Sequence, residues 1–177
     1  MLNSLMHLNK YYFINKFDPY HIKKLDKNIS LIYRNYKSSY NSNLLVKMRN
    51  FCKRNNRNLY LANNIKLAIK FNLDGAYIPS FNNDFKHLNY KTKVKFLIIG
   101  SAHNLKEIRI KEKQKVSKIF ISSIFKKKNY LGLYKFKNLS KNTKKEIIAL
   151  GGVSKKNLKK INLLNTDGFA GIGIFNR

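Results

Sequence analysis

Two adjacent glycines, Gly151 and Gly152, separate the apolar run Ile147 to Leu150 from an amphipathic segment that opens near Ser154, within EIIALGGVSKKNLKKI. A strand that turns through glycines into a helix leaves main-chain N–H groups unbonded at the helix start, and such a concavity accepts an anion. Glycine also lets a ligand approach the backbone closely. The same pair serves equally as a tight strand-to-helix turn with no ligand. A second stretch with chemical content is GSAH, Gly100 to His103, where a serine and an imidazole follow the apolar run KFLII. Imidazole exchanges a proton near neutral pH, although an isolated histidine also serves as a cap or a packed surface group.

Such residues need elements to position them. Short apolar runs recur along the chain: YYFI from Tyr11, SLIY from Ser30, LYLA from Leu59, GAYI from Gly75, KFLII from Lys95, KIFI from Lys118, EIIAL from Glu146 and GFAGIGIF from Gly168. They are nearly continuous and rich in Ile, Tyr and Phe, which suits strands of a parallel sheet covered on both faces. The segments between them carry helical spacing. Asn104 reads as a helix N-cap with Glu107 three residues on and Leu105, Ile108 and Val116 facing inward, while Leu158, Ile161 and Leu164 form a stripe after Ser154. Pro19 and Pro79 fall in loops or at strand ends, and no proline-rich linker divides the chain. The alternation predicts an α/β fold, a compact (β/α)8 TIM barrel forming a single domain over residues 1–177. That length is short for such a barrel, so several helices must be small. The sequence runs out at Arg177, directly after the eighth apolar run, so the last helix is expected to be lacking and a homodimer is one way to cover the apolar surface left behind.

Composition narrows the partners. With 37 Lys and Arg against 8 Asp and Glu, the net charge of +29 attracts phosphate polymers of any sequence. The lysines are nevertheless spread over nearly every segment together with Asn, Ile, Tyr and Phe, as codon drift in an A+T-rich genome would produce, and no RNA-binding aromatic pattern or zinc spacing accompanies them. No specific nucleic-acid partner is expected. Cys52 is the only cysteine, which excludes an intrachain disulfide and fits a reducing compartment, so a cytoplasmic location is expected. The opening MLNSLMHLNKYYFINKF lacks a basic region followed by a long apolar one, and no run approaches the roughly 20 apolar residues of a spanning helix. Neither secretion nor membrane insertion is expected.

From Asn58 onward, NLYLANNIKLAIKFNLDGAYIPS, FLIIGSAHNLKEI, KIFISSIF, LGLYKFKNL and IIALGGVSKKNLKKINLLNTDGFAGIGIF occur in the order and spacing of a known family. They resemble the thiamine phosphate synthase and thiazole tautomerase (TenI-like) superfamily of compact (β/α)8 barrels. YYFINKFD and IYRNYKS sit where that family's first two strands lie. The resemblance implies that Gly151, Gly152, Ile172 and Gly173 bind a substrate phosphate, in line with the habit of barrels to hold phosphate after strands seven and eight. It implies catalytic roles for His103 as the proton-transfer residue and for Ser101 at the strand end, in contact with the leaving group. Family synthases carry Gln-x-Arg-x-Lys after strand two; here Arg34 aligns, Ile32 replaces the Gln, Tyr36 replaces the Lys and Lys37 falls one residue late. Arg34 and Lys37 are therefore the implied diphosphate cations, with ordinary solvated charges as the other reading in so basic a chain. The loop KKKN, Lys126 to Asn129, lies where the family has a threonine-rich loop with a lysine, and Lys128 stands for that cation.

The family's synthases use Mg²⁺ held by two aspartates after strands three and four. The corresponding positions here are Asn64 and Asn82, with Asp84 two residues further on. An amide oxygen can ligate Mg²⁺ but adds no charge to offset a diphosphate, so metal affinity should drop. The activity implied is the joining of hydroxymethylpyrimidine diphosphate to thiazole phosphate, giving thiamine phosphate and pyrophosphate, with those phosphorylated small molecules as the partners. Metal-free tautomerisation of a thiazole phosphate through His103, or a non-catalytic barrel that binds a phosphorylated ligand, stand as alternatives.

Overall fold

A computed structural model describes residues 8–36, 40–126 and 130–176. Eight short strands pair in parallel, each with the next, and the last with the first: β1 (Asn9–Ile14), β2 (Ile29–Tyr33), β3 (Leu59–Ala62), β4 (Gly75–Ile78), β5 (Leu97–Ala102), β6 (Lys118–Ser122), β7 (Glu146–Leu150) and β8 (Gly168–Gly171). The closed barrel expected from the sequence is the fold. Helices α1 (Pro19–Lys23), α2 (Ser42–Arg54), α3 (Ile65–Lys70), α4 (Leu105–Lys113), α5 (Gly132–Ser140) and α6 (Leu158–Ile161) lie on its outside, and a 3₁₀ turn at Lys86–Asn89 takes the helix position between β4 and β5. Among the described residues, β8 is followed only by a turn through Ile172–Phe175.

The two-residue strand period sorts side chains into two cores. Tyr11, Phe13, Ile32, Tyr60, Tyr77, Ile99, Phe120, Ile148 and Ala170 point inward and fill the barrel. Their rings meet edge to face, Tyr11 against Phe120 at 4.9 Å and Phe13 against Tyr77 at 5.1 Å between centroids, a geometry that aromatic quadrupoles favour. The intervening residues, such as Leu31, Leu61, Ile121 and Ile147, point outward and pack against Leu45 and Met48 of α2, Ile108 of α4 and Phe136 of α5. Both faces of each strand are buried, which is why the apolar runs read as continuous.

Barrel closure requires two strands to lie closer than a side chain permits. A Cβ on Gly168 would stand 2.1 Å from the Asn9 carbonyl oxygen, and one on Gly75 would stand 2.0 Å from that of Leu97. Asp167 completes the β8 seam: its carbonyl accepts from the Asn9 N–H at 2.9 Å and its carboxylate from the Ile147 N–H at 2.7 Å. Nearby, the buried Arg57 guanidinium donates to the carbonyls of Ile22, Leu25, Asp26 and Ile29, tying the end of α1 to the start of β2.

Three local expectations differ. The segment after Gly152 does not open a helix near Ser154; α6 begins at Leu158 and lasts 4 residues. Asn157 is the reason, because its side chain accepts from the Ser154 N–H at 2.8 Å and donates to the Gly152 carbonyl at 2.9 Å, closing a turn where a first helical turn would stand. GFAGIGIF supplies strand only as far as Gly171. Leu105 is exposed, whereas Ile108 and Val116 are buried as expected.

Burial pushes the Tyr77 hydroxyl up to about 12 and raises those of Tyr11 and Tyr60 further above the ordinary tyrosine value. Above about pH 10 tyrosines of the unfolded chain ionise while these remain protonated, so the folded state binds more protons and stability falls as pH rises. Each such tyrosine costs about 1.4 kcal/mol per pH unit in that range. Urea midpoints are expected to fall between about pH 10 and pH 11, and less steeply in Tyr60→Phe than in the parent.

Candidate functional site

All eight strands run the same way, so the loops after their carboxyl ends gather on one rim. There a cleft of ≈ 550 Å³ opens between the loops after β2, β5, β6, β7 and β8; its lining includes Arg34, His103, Ser123, Lys126, Gly151 and Gly152, with Ile172 and Gly173 across from them. Residues far apart in sequence thus meet on one concave surface. Its floor is aromatic: Phe13 lines the cleft, and the Arg34 guanidinium stacks 5.2 Å from the centre of its ring.

The glycine turn is shaped by what lies beneath it. Gly151 and Gly152 have φ of 98° and 75°, the left-handed region open to glycine, and a Cβ on Gly151 would stand 2.3 Å from Ser123 Oγ. The β6 loop bonds to the same turn, since the Phe125 N–H donates to the Gly151 carbonyl at 2.8 Å. Ser154 spends its N–H on Asn157, but the N–H groups of Gly152 and Gly173 have no acceptor among the described residues. Free N–H groups from two loops, on a concave and cationic surface, are donors of the kind that accept an anion, here without a helix terminus. Ser123 is 5% exposed and its hydroxyl has no partner among the described residues, which leaves one more unsatisfied polar group against this turn.

His103 stands at the cleft edge. Glu107 binds it twice, accepting from the His103 N–H at 2.7 Å and meeting Nδ1 at 3.0 Å through the same carboxylate oxygen. The other oxygen accepts from the Asn104 side chain at 3.0 Å, while Asn104 caps α4 by accepting from the Glu107 N–H at 2.9 Å. A capping box therefore fixes the carboxylate that orients the imidazole, leaving Nε2 for a ligand. Ser101 lies elsewhere: it is 4% exposed on β5 and is not part of the cleft lining. Lys37 and Lys128 fall outside the described residues; Lys126 is the cation of the β6 loop that lines the cleft.

The β3–β4 corner, where the resemblance implies Mg²⁺, is closed by internal bonds. Asn64 caps α3, accepting from the Leu67 N–H at 3.0 Å. Asn82 donates to the Asn63 side chain at 2.6 Å and accepts from the Asp84 N–H at 2.8 Å, and Asp84 accepts from the Lys86 N–H at 2.8 Å. Lys111 of α4, 0% exposed, donates to the Asn82 carbonyl at 2.7 Å and to Gln114 at 2.8 Å; Gln114 in turn donates to the carbonyls of Asn82 and Asp84. Burial pulls the Lys111 ammonium down to about 8. A hard dication needs several free oxygens and usually a carboxylate or two. Here those oxygens are engaged, the corner cavity is lined by Lys66 and Lys86, and no group of three His, Cys, Asp or Glu that could hold a metal occurs among the described residues. The residues present do not fit Mg²⁺.

Glu107 was visible in the sequence only as a cap partner, and Lys111, Gln114 and Ser123 carried no signal that set them apart from their neighbours. Among the described residues no helix is long and apolar enough to cross a membrane.

Comparison with known proteins adds the following. A family model described as thiamine monophosphate synthase matches residues 26–175. Thiamine phosphate pyrophosphorylase from Pyrococcus furiosus superposes with a TM-score of 0.74 at 16% identity, over 94% of this chain and 86% of that one. The putative copper homeostasis protein CutC from Streptococcus agalactiae gives 0.71 at 12% identity, over 94% and 99%. An HpcH/HpaI aldolase from Desulfitobacterium hafniense gives 0.67 at 10%, over 97% and 88%. At these identities the likenesses establish the barrel alone. Among curated proteins none matches the sequence.

If the glycine turn is the cradle, a methyl group there should destroy it. A Cβ on Gly152 would meet the Lys126 nitrogen at 2.7 Å in a backbone conformation that alanine avoids. Gly152→Ala is expected to cost about 1–3 kcal/mol of stability and to weaken inorganic phosphate binding at least about tenfold by calorimetry. Unchanged affinity would remove the turn from the site.

Proposed function

This chain belongs to the thiamine monophosphate synthase family, and from that membership we propose that it makes thiamine phosphate by joining hydroxymethylpyrimidine diphosphate to thiazole phosphate. The observation that carries this reading is the convergence of a glycine cradle with free N–H groups, two cations and an oriented imidazole on one cleft. Gly151, Gly152, Ile172 and Gly173 hold the thiazole phosphate. Arg34 and Lys126 take the diphosphate of the second substrate, with Lys37 and Lys128 as further cations of the same loops. An adjoining hollow of ≈ 370 Å³ shares Phe13, Arg34 and Ile172 with the cleft, which suits a reaction with two substrates.

In this reading the bond between the pyrimidine methylene carbon and its diphosphate oxygen breaks, and pyrophosphate leaves with the electron pair. The thiazole nitrogen donates its lone pair to the resulting carbocation, forming the new C–N bond and a thiazolium. No proton or oxidant is consumed. The protein supplies alignment of the two reactants and positive charge opposite the departing pyrophosphate. Family synthases use Mg²⁺ for part of that charge, but the corner described above does not fit the ion, and no step here runs through it. Ser101, buried on β5, lies outside the cleft lining, and no step here is assigned to it.

The closed corner and the His103–Glu107 pair favour a second reading, metal-free tautomerisation of a thiazole phosphate, in which His103 removes and returns a proton at carbon. One assay separates the two. Purified chain incubated with both substrates is expected to yield thiamine phosphate, and Arg34→Ala to lower kcat/KM about a hundredfold, the cost of removing one charged contact to the leaving group. Absence of product, together with solvent deuterium entering the thiazole phosphate in the parent and not in His103→Ala, would transfer the assignment to the tautomerase.

A further inference from the structure

Lys111 is the side chain that the reaction above leaves unexplained. It is wholly buried, it is ammonium-bearing, and no carboxylate pairs with it among the described residues. A buried ammonium without a direct ion pair is costly, and the Glu107 carboxylate, which favours its charge from beyond ion-pair contact, offsets only part of that cost. Its acceptors are the main-chain carbonyl of Asn82 and the amide oxygen of Gln114, both neutral. The carbonyl belongs to the β4 loop, and the side chain of the same Asn82 is bonded to Asn63 of the β3 loop. The ammonium therefore stands at the corner where the two metal-binding loops of a synthase would meet.

We propose that Lys111 is a built-in cation: its ammonium, docked on the Asn82 carbonyl, takes the place of a divalent ion at the β3–β4 corner and makes anion binding at the rim independent of metal. The inference rests on the phosphate-binding reading of the cleft. Four observations converge on it. The backbone oxygens that a dication would need are filled by Lys111 and Gln114. The amides of Asn64 and Asn82 point their oxygens at main-chain N–H groups. Asp84, the sole carboxylate lining the corner cavity, pairs with Lys86 at 3.7 Å. Lys66 lines the same cavity and adds to a positive field that repels a second cation. Amides in place of aspartates agree with this: a carboxylate at position 82 beside a fixed ammonium would pair with it and not with a metal.

The test uses Mn²⁺ as the metal probe and inorganic phosphate as the anion. Electron paramagnetic resonance is expected to find no Mn²⁺ uptake by the parent chain, and calorimetry to give the same phosphate Kd, within about twofold, in Mg²⁺ and in EDTA. Asn82→Asp should still take up no Mn²⁺ while Lys111 is present, whereas Lys111→Met/Asn82→Asp should take up about one per chain. A purely structural role for Lys111 would not create that metal site. Stoichiometric uptake by the parent or by Asn82→Asp, or loss of phosphate binding in EDTA, would overturn the proposal, as would no uptake by a folded double variant. If the double variant does not fold, Lys111→Gln/Asn82→Asp, which keeps a polar side chain of similar reach without the charge, takes its place under the same expectation. No phosphate binding in either condition would instead sink the reading of the cradle, and the Mn²⁺ arms would still judge the corner.

Discussion

Closing a parallel sheet of four- to six-residue strands on itself removes the unpaired N–H and C=O groups that an open sheet carries along both of its outer strands. Here closure is made between β8 and β1, and its tightest point is the bare Cα of Gly168 beneath the Asn9 carbonyl. Any side chain at that point would push the seam apart. Asp167 reinforces it from both sides, bonding β1 through its carbonyl and β7 through its carboxylate. The rim depends on that seam, because closure brings the loop after β8 beside the one after β1.

Closure also decides where chemistry can occur. Tyr11, Phe13, Tyr60, Tyr77 and Phe120 occupy the barrel interior, so a ligand finds no path along the axis and must lie on the rim. The cleft is consequently shallow, with an aromatic floor, a glycine wall and charges brought in from loops. The lysines spread over the whole surface supply attraction without selectivity. In the proposed reaction selectivity falls to the few groups whose positions are fixed: the N–H groups of the turn, the imidazole held by Glu107 and the guanidinium laid on Phe13.

The strands were legible because burial on both faces writes them as unbroken apolar runs, and seven of the eight runs stop at or before the carboxyl end of a strand. GFAGIGIF was the exception, since Ile172, Ile174 and Phe175 look strand-like but serve a turn that covers Phe169 with the ring of Phe175. The helix after Gly152 was misjudged because side-chain bonds of Asn157, invisible to periodicity, outweigh a good amphipathic stripe. Gly151 and Gly152 announced a turn, although not that its donors would be the turn's own N–H groups. Lys111 was illegible for a different reason. In a chain with 37 basic residues, a lysine on a helix reads as solvated, and only the packing of α4 against the β4 loop reveals one that is not.

The seam joins residues 158 positions apart, Asn9 and Asp167. On a ribosome β1 emerges first and must wait for its second neighbour until nearly all of the domain has been made. Throughout that interval its outer row of hydrogen-bonding groups is available to any other extended chain. Contacts of such long sequence separation also demand the most loop-closure entropy. The seam that completes the rim is therefore the contact with the longest stretch of chain to close, and the last whose two partners are both present.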